Sequence, residues 1–98
     1  MEFKQLEMLV AVADERSIIR AAERVFRTQP AVSMALAKLE DEIGADLFCR
    51  TGRSVELTAV GTVMVEYARK LLALRDEAAE RIGSWRDGSC SRVSSTSN

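Results

Sequence analysis

Histidine is absent from the 98 residues, and cysteine occurs only twice, as Cys49 and Cys90. Without imidazole there is no Cys–His pair, and two cysteines in segments of very different character cannot assemble a structural metal site. The acidic residues are spaced as surface charges, so no catalytic constellation emerges and an enzyme is not expected; no metal or cofactor is expected either. So few cysteines also exclude a disulfide scaffold and fit a reduced, intracellular chain. Proline appears once and aromatic residues make up 5%, whereas Ala, Leu, Glu and Arg dominate as far as about Arg81, which favours a mainly helical fold. Long hydrophobic runs are missing too: Met8 to Ala13 is far too short to span a bilayer and lacks the flanks of a signal peptide. A soluble, cytoplasmic protein with one small core is the expectation.

The formal net charge of -1 looks unsuited to a polyanionic partner, but its distribution matters more than its sum. Between Ile18 and Leu39 four bases, Arg20, Arg24, Arg27 and Lys38, face the single acid Glu23. Glu40, Asp41, Glu42 and Asp46 then follow without a base, and Arg50 and Arg53 restore positive charge further on. Cations therefore gather in one region of the chain.

That region is organised. Phe3, Leu6, Leu9, Val10 and Ala13 recur at helical spacing, predicting an amphipathic supporting helix from about Glu2 to Asp14. Ser17 can cap a second helix whose buried side is Ile18, Ala21, Ala22 and Val25. After a turn at Phe26-Arg27, Thr28 is a cap and Pro30 sits in the first turn of a third helix, where its missing N–H leaves no helix bond unmade. Val32, Leu36, Leu39 and Ile43 share the core face of that helix, and Pro30, Met34, Ala37 and Asp41 share the opposite one. Two helices crossing at a tight turn, the second opening with exposed polar groups, form a helix-turn-helix.

Gly44 suits a left-handed helix stop. Leu47-Phe48, the turn Thr51-Gly52-Arg53-Ser54, and Val55 and Leu57 alternating with Glu56 predict a short β-hairpin wing. Thr58 caps a long fourth helix in which Met64, Tyr67, Leu71, Leu74 and Ala78 follow the three-and-four spacing of a helix–helix seam. Val60, Val63, Ala68 and Leu72 broaden its apolar surface beyond what one small domain needs, so dimerisation is expected. Ile82 and Trp85 either extend this seam or mark an exposed end. From Gly88 the chain is rich in Ser and has no helical period. The predicted organisation is a winged helix-turn-helix over residues 1–58, a linker and dimerisation helix over 59–83, and a loosely ordered tail over 84–98.

Each candidate contact has a chemical reason. Gln29 can pair its amide with an adenine edge in the major groove, Ser33 can donate a hydroxyl bond, and Pro30, Ala31 and Met34 can pack on thymine methyl groups. Thr28 serves as cap, phosphate ligand, or both. Arg50 and Arg53 flank the wing turn, where flexible cations reach phosphates or a minor groove, and Arg20, Arg27 and Lys38 are further phosphate candidates. Arg24 is expected to be an ordinary surface residue, and Cys49 a small packing residue.

The order of elements and their wording resemble the N-terminal DNA-binding domain of LysR-type transcriptional regulators. The resemblance runs without gaps from Met1 to about Glu80, and its strongest stretches are Ser17 to Ala22, Thr28 to Ser33, Leu39-Glu40 through Gly44, Leu47-Phe48, Arg50-Thr51, and Leu57-Thr58 with Gly61. It implies a three-helix core with a hairpin wing, pairing of two subunits through the fourth helix, and an interrupted inverted repeat of double-stranded DNA as partner. It also implies a small-molecule inducer bound by a C-terminal effector domain not present here, and a tetramer as a further assembly of full-length chains. Met34 and Ala37 stand where the family often has a base, and Cys49 where it has an acid, so fewer charged contacts to DNA are expected. The alternative from another class is a truncated interaction module that dimerises with full-length regulators.

Overall fold

The computed structural model describes the backbone of residues 1–51 and 54–88 and the side chains of 1–49 and 54–85. Four helices and one hairpin follow in the order α1 (Phe3–Glu15), α2 (Ile18–Arg24), α3 (Gln29–Ile43), β1 (Phe48–Thr51), β2 (Ser54–Leu57) and α4 (Ala59–Gly88).

Side-chain chemistry sets the helix ends. Gln5 accepts the Glu2 N–H at 2.8 Å at the start of α1, Ser17 Oγ accepts the Arg20 N–H at 3.2 Å, and Thr28 Oγ1 accepts the Ala31 N–H at 3.2 Å. Gly44 ends α3 at φ 83°, donating its N–H to the Glu40 carbonyl at 2.7 Å. Two other turns adopt the left-handed conformation without glycine, at Arg16 (φ 55°) and Phe26 (φ 58°). At Phe26 the following N–H, that of Arg27, closes onto the Ala22 carbonyl at 2.9 Å, which forces the abrupt turn between α2 and α3.

Leu9, Val12, Val32, Leu39 and Leu47 are fully buried, each contributing about 1.5–3 kcal/mol by leaving water. α1 is more than a support. Leu6, Met8, Leu9, Val10, Ala11 and Val12 are all buried, because α2 and α3 cover one side of α1 while α4 and β2 cover others. Phe3 and Ala13, expected on its core face, are exposed and half-buried. Ala68 and Leu72 also differ from expectation: with Val65 they pack against the core rather than broaden the outer surface of α4. The helix continues to Gly88 instead of ending near residue 83, and no described residue of α4 after Leu72 joins the core. At about 1.5 Å per residue it is a rod of about 45 Å, set against a longest molecular dimension of 56 Å.

Leu47 ties the outer elements to the core. Its N–H donates to the Glu40 carboxylate of α3 at 2.8 Å, and its carbonyl accepts the Thr58 N–H at 3.0 Å. Phe48 N–H shares the same carboxylate at 3.4 Å. Thr58 Oγ1 donates to the Asp46 carbonyl at 2.6 Å and accepts the Gly61 N–H at 3.0 Å, capping α4 where it meets the hairpin. A Cβ at Gly61 would collide with the Leu47 carbonyl oxygen, so only glycine allows this approach. The strands pair antiparallel, Phe48 with Leu57 and Thr51 with Ser54.

Two outcomes are expected in urea or thermal unfolding. Glu40→Ala leaves two backbone donors without their carboxylate and should cost about 1–3 kcal/mol. Phe26→Gly relieves the left-handed strain and should gain about 0.5–1 kcal/mol, whereas a loss would mean that the ring holds the turn together.

Candidate nucleic-acid interface

The two sides of α3 separate cleanly. Val32, Leu36 and Leu39 are buried and Ile43 is half-buried, while Gln29, Pro30, Met34, Ala37 and Lys38 are exposed. Ser33 lies half-buried between the two sides. Thr28 is exposed and already engaged as the cap, its hydroxyl hydrogen still available to a further acceptor. Gln29, Pro30 and Met34 thus share an open surface at the N-terminal part of the helix, where the first-turn N–H groups carry partial positive charge. A shallow cleft beside Ser33, Ala37 and Glu40 separates this surface from Phe48 and Val55 of the hairpin.

Among the described residues, some of the cations are already paired and others are not. Arg24 contacts Asp14 at 3.0 Å and Glu15 at 3.5 Å; Arg69 also binds Asp14, and Arg75 binds Glu7 at 2.8 Å while lying over the Phe3 ring. Their charge is spent inside the molecule. Arg20, Arg27 and Lys38 are exposed and form no ion pair among the described residues. These three lie on or beside the helix-turn-helix, so a sequence of near-neutral net charge still presents an unneutralised cationic surface there. Arg50 sits on β1 opposite Val55, its side chain outside the described portion, and Arg53 lies outside the described residues altogether.

Sequence reasoning missed Glu40, which it treated as one of several surface acids. The available signal was its position four residues after Leu36, beside the core stripe. Cys49 is an exposed free thiol rather than a packed one. Among the described residues no cluster of three or more His, Cys, Asp or Glu is placed to hold a metal ion, and no helix is long and apolar enough to cross a membrane.

A second surface runs along α4. Val60, Val63, Tyr67, Leu71, Leu74, Ala78, Ile82 and Trp85 are exposed at three- and four-residue spacing, Leu74 to 59% and Trp85 to 67%. Met64, expected on the same seam, is half-buried and packs partly against its own core. Beside Leu71 an apolar cleft opens toward Met1, Phe3 and Leu6.

Residues 3–62 match the model of the lysR family of bacterial regulatory helix-turn-helix proteins. The chain is 46% identical over 81 residues to the transcriptional regulator TfdT of Cupriavidus pinatubonensis, covering 83% of this chain and 36% of TfdT. It is 45% identical over 87 residues to the regulator ClcR of Pseudomonas putida, covering 83% of this chain and 30% of ClcR. It therefore spans about a third of the length of these relatives. Among solved structures, the BenM DNA-binding domain in complex with catB site 1 DNA superposes with a TM-score of 0.87 at 33% identity, over 92% of this chain and 100% of that one. The CbnR DNA-binding domain in its DNA complex gives 0.82 at 36% identity, over 86% and 97%. The arrangement of three helices, hairpin and long helix is that of the winged-helix DNA-binding domains of LysR regulators.

The Asp14 cluster generates a pH dependence. The hydrogen bond from Arg69 lowers the Asp14 pKa, partial burial opposes it, and Arg24 lowers it further. A carboxylate held below its unfolded value of about 3.9 stabilises fully above that pH and loses its contribution as pH falls through the folded value. Between about pH 4 and pH 2 the wild type should therefore lose more stability than Asp14→Asn, measured by urea unfolding; parallel curves would show that the ion pairs are fully screened.

Proposed function

This chain belongs to the lysR family of bacterial regulatory helix-turn-helix proteins, and on that footing we propose that it binds double-stranded DNA sequence-specifically, as a dimer, to regulate transcription. One observation carries the proposal: the N-terminal part of α3 is held open to solvent while its other side forms the core. Gln29, Pro30, Ser33 and Met34 are assigned to base edges, and Thr28, Arg20, Arg27 and Lys38 to the phosphate backbone. Arg50 and Arg53 join the phosphate group on sequence grounds. That Arg20, Arg27 and Lys38 form no ion pair among the described residues supports this division, since condensed counterions on DNA are released only by charges not already neutralised.

The apolar line along α4 supports pairing with a second copy through Tyr67, Leu71, Leu74 and Ala78, with Met64 at its edge. Beyond Leu72 no described residue of the helix joins the core, and an isolated helix of little more than a dozen residues is marginal in water. Two paired copies present two recognition helices, matching an interrupted inverted repeat with half-sites one helical turn or a multiple apart. This face belongs to DNA binding and does not call for a separate interaction module. The matched relatives are transcriptional regulators, and no catalytic role is assigned to this chain. Its place of action is the cytoplasm, with the DNA. Response to a small-molecule inducer, and tetramer formation, are assigned to a C-terminal domain of the kind that the longer relatives have room for.

Salt-dependent titration of a duplex selected from a random pool tests the assignment. Arg20→Ala, Arg27→Ala and Lys38→Ala should each flatten the log–log salt slope by about 0.9 per phosphate lost, while Arg24→Ala should leave it unchanged. Gln29→Ala should relax preference at one base position; uniform weakening on all sequences would make Gln29 a backbone ligand instead.

A further inference from the structure

Pro30, Met34 and Ala37 recur at four- and three-residue spacing along one line of α3, and all three face solvent, Met34 to 63%. None has a side-chain hydrogen-bond donor, and Pro30 lacks a backbone N–H as well. The next residue on this line is the exposed Asp41, followed by the exposed Glu42. Asp41, which forms no ion pair among the described residues, repels phosphates, whereas Glu42 is paired with the Met1 ammonium, so the helix approaches a duplex best by its N-terminal part. The usable line from Pro30 to Ala37 is about 10 Å long, or about three base steps. Neutral hydrogen-bonding side chains lie on one flank, Gln29 and Ser33, and the flexible ammonium of Lys38 lies on the other.

Such a line discriminates between bases by what it cannot do. Pressed against the edge of a guanine or an unmodified cytosine, it would strip water from O6, N7 or N4 and return no hydrogen bond. The C5 methyl of thymine is the apolar group that the major groove offers, and there both surfaces lose water favourably. The flexible thioether of Met34 can adjust its contact to a group as small as a methyl. Resting on the DNA-binding function proposed above, we infer that Met34, between Pro30 and Ala37, is a specificity determinant that selects 5-methylpyrimidines, while Gln29 reads an adenine edge beside them. Each half-site is then A·T-rich where α3 enters, and 5-methylcytosine supplies at Met34 the same methyl as thymine.

Uracil differs from thymine only by that methyl, which makes it the probe. The full chain is titrated by fluorescence anisotropy with a duplex selected from a random pool, and with copies carrying deoxyuridine in place of one thymidine at a time. One or two thymidines per half-site should lose about fourfold in affinity on replacement. In Met34→Ala, whose unchanged melting temperature confirms folding, one of these penalties should disappear. Replacing cytosine by 5-methylcytosine at that position should strengthen binding to the wild type and leave Met34→Ala unaffected. Selective binding that tolerates uracil everywhere, or a uracil penalty that persists unchanged in Met34→Ala, overturns the methyl reading and leaves DNA binding intact. Failure to select any duplex overturns both.

Discussion

The attachment of Leu47 is the constraint on which the outer architecture depends. Its side chain fills the core, its N–H is held by Glu40 at the end of α3, and its carbonyl receives Thr58 at the start of α4. One residue therefore couples the recognition helix, the hairpin and the long helix. The carboxylate does what a neutral acceptor does less well, since it takes two backbone donors that the departing chain would otherwise leave unmatched. Gly61 completes the arrangement from the far side, because its missing side chain lets the first turn of α4 rest against the Leu47 backbone.

Electrostatics in this small protein is a matter of allocation. Asp14 gathers Arg24 and Arg69 from two different helices, and Glu7 holds Arg75, so that two acids of α1 tie down α2 and α4. These pairs are largely exposed and contribute little to stability individually. Their larger effect is to remove those cations from competition for an external anion. Among the described residues Arg20, Arg27 and Lys38 remain unpaired on or beside the helix-turn-helix, as does Arg16 at its edge, and a net charge of -1 conceals this local excess.

Local signals were legible in the sequence wherever they were complete within a few residues. Ser17, Thr28, Pro30, Gly44 and Thr58 announced helix ends because a cap needs only its own first or last turn, and the spacing of Val32, Leu36 and Leu39 revealed which side of α3 is inward. Three things were hidden for the same reason: they depend on elements brought together by folding. Periodicity marks an apolar face but not the number of neighbours, so the unbroken burial of α1 from Met8 to Val12 was invisible. Both sides of α4 are apolar, and nothing local told which would meet the core, so Ala68 and Leu72 were set on the wrong one. The partners of Glu40 lie seven and eight residues away, around a turn. Phe26 is a different case, since no glycine or asparagine warned of a left-handed residue 91% exposed to solvent. Of the candidate contacts, the structure brings Gln29, Pro30 and Met34 onto one open surface, whereas the wing arginines have no described side chains to compare.

The long helix is continuous from its junction with the hairpin to Gly88, and its outward apolar line occupies much of that length. If two copies join along this line as proposed, each recognition element rides at one end of its own lever. About 20 Å separates mid-helix from the hairpin end, so a change of about 10° in crossing angle displaces that end by about 3–4 Å, roughly one base step. Small repacking among Tyr67, Leu71 and Leu74 in such a pair would thereby be amplified into a different separation between the two points of contact.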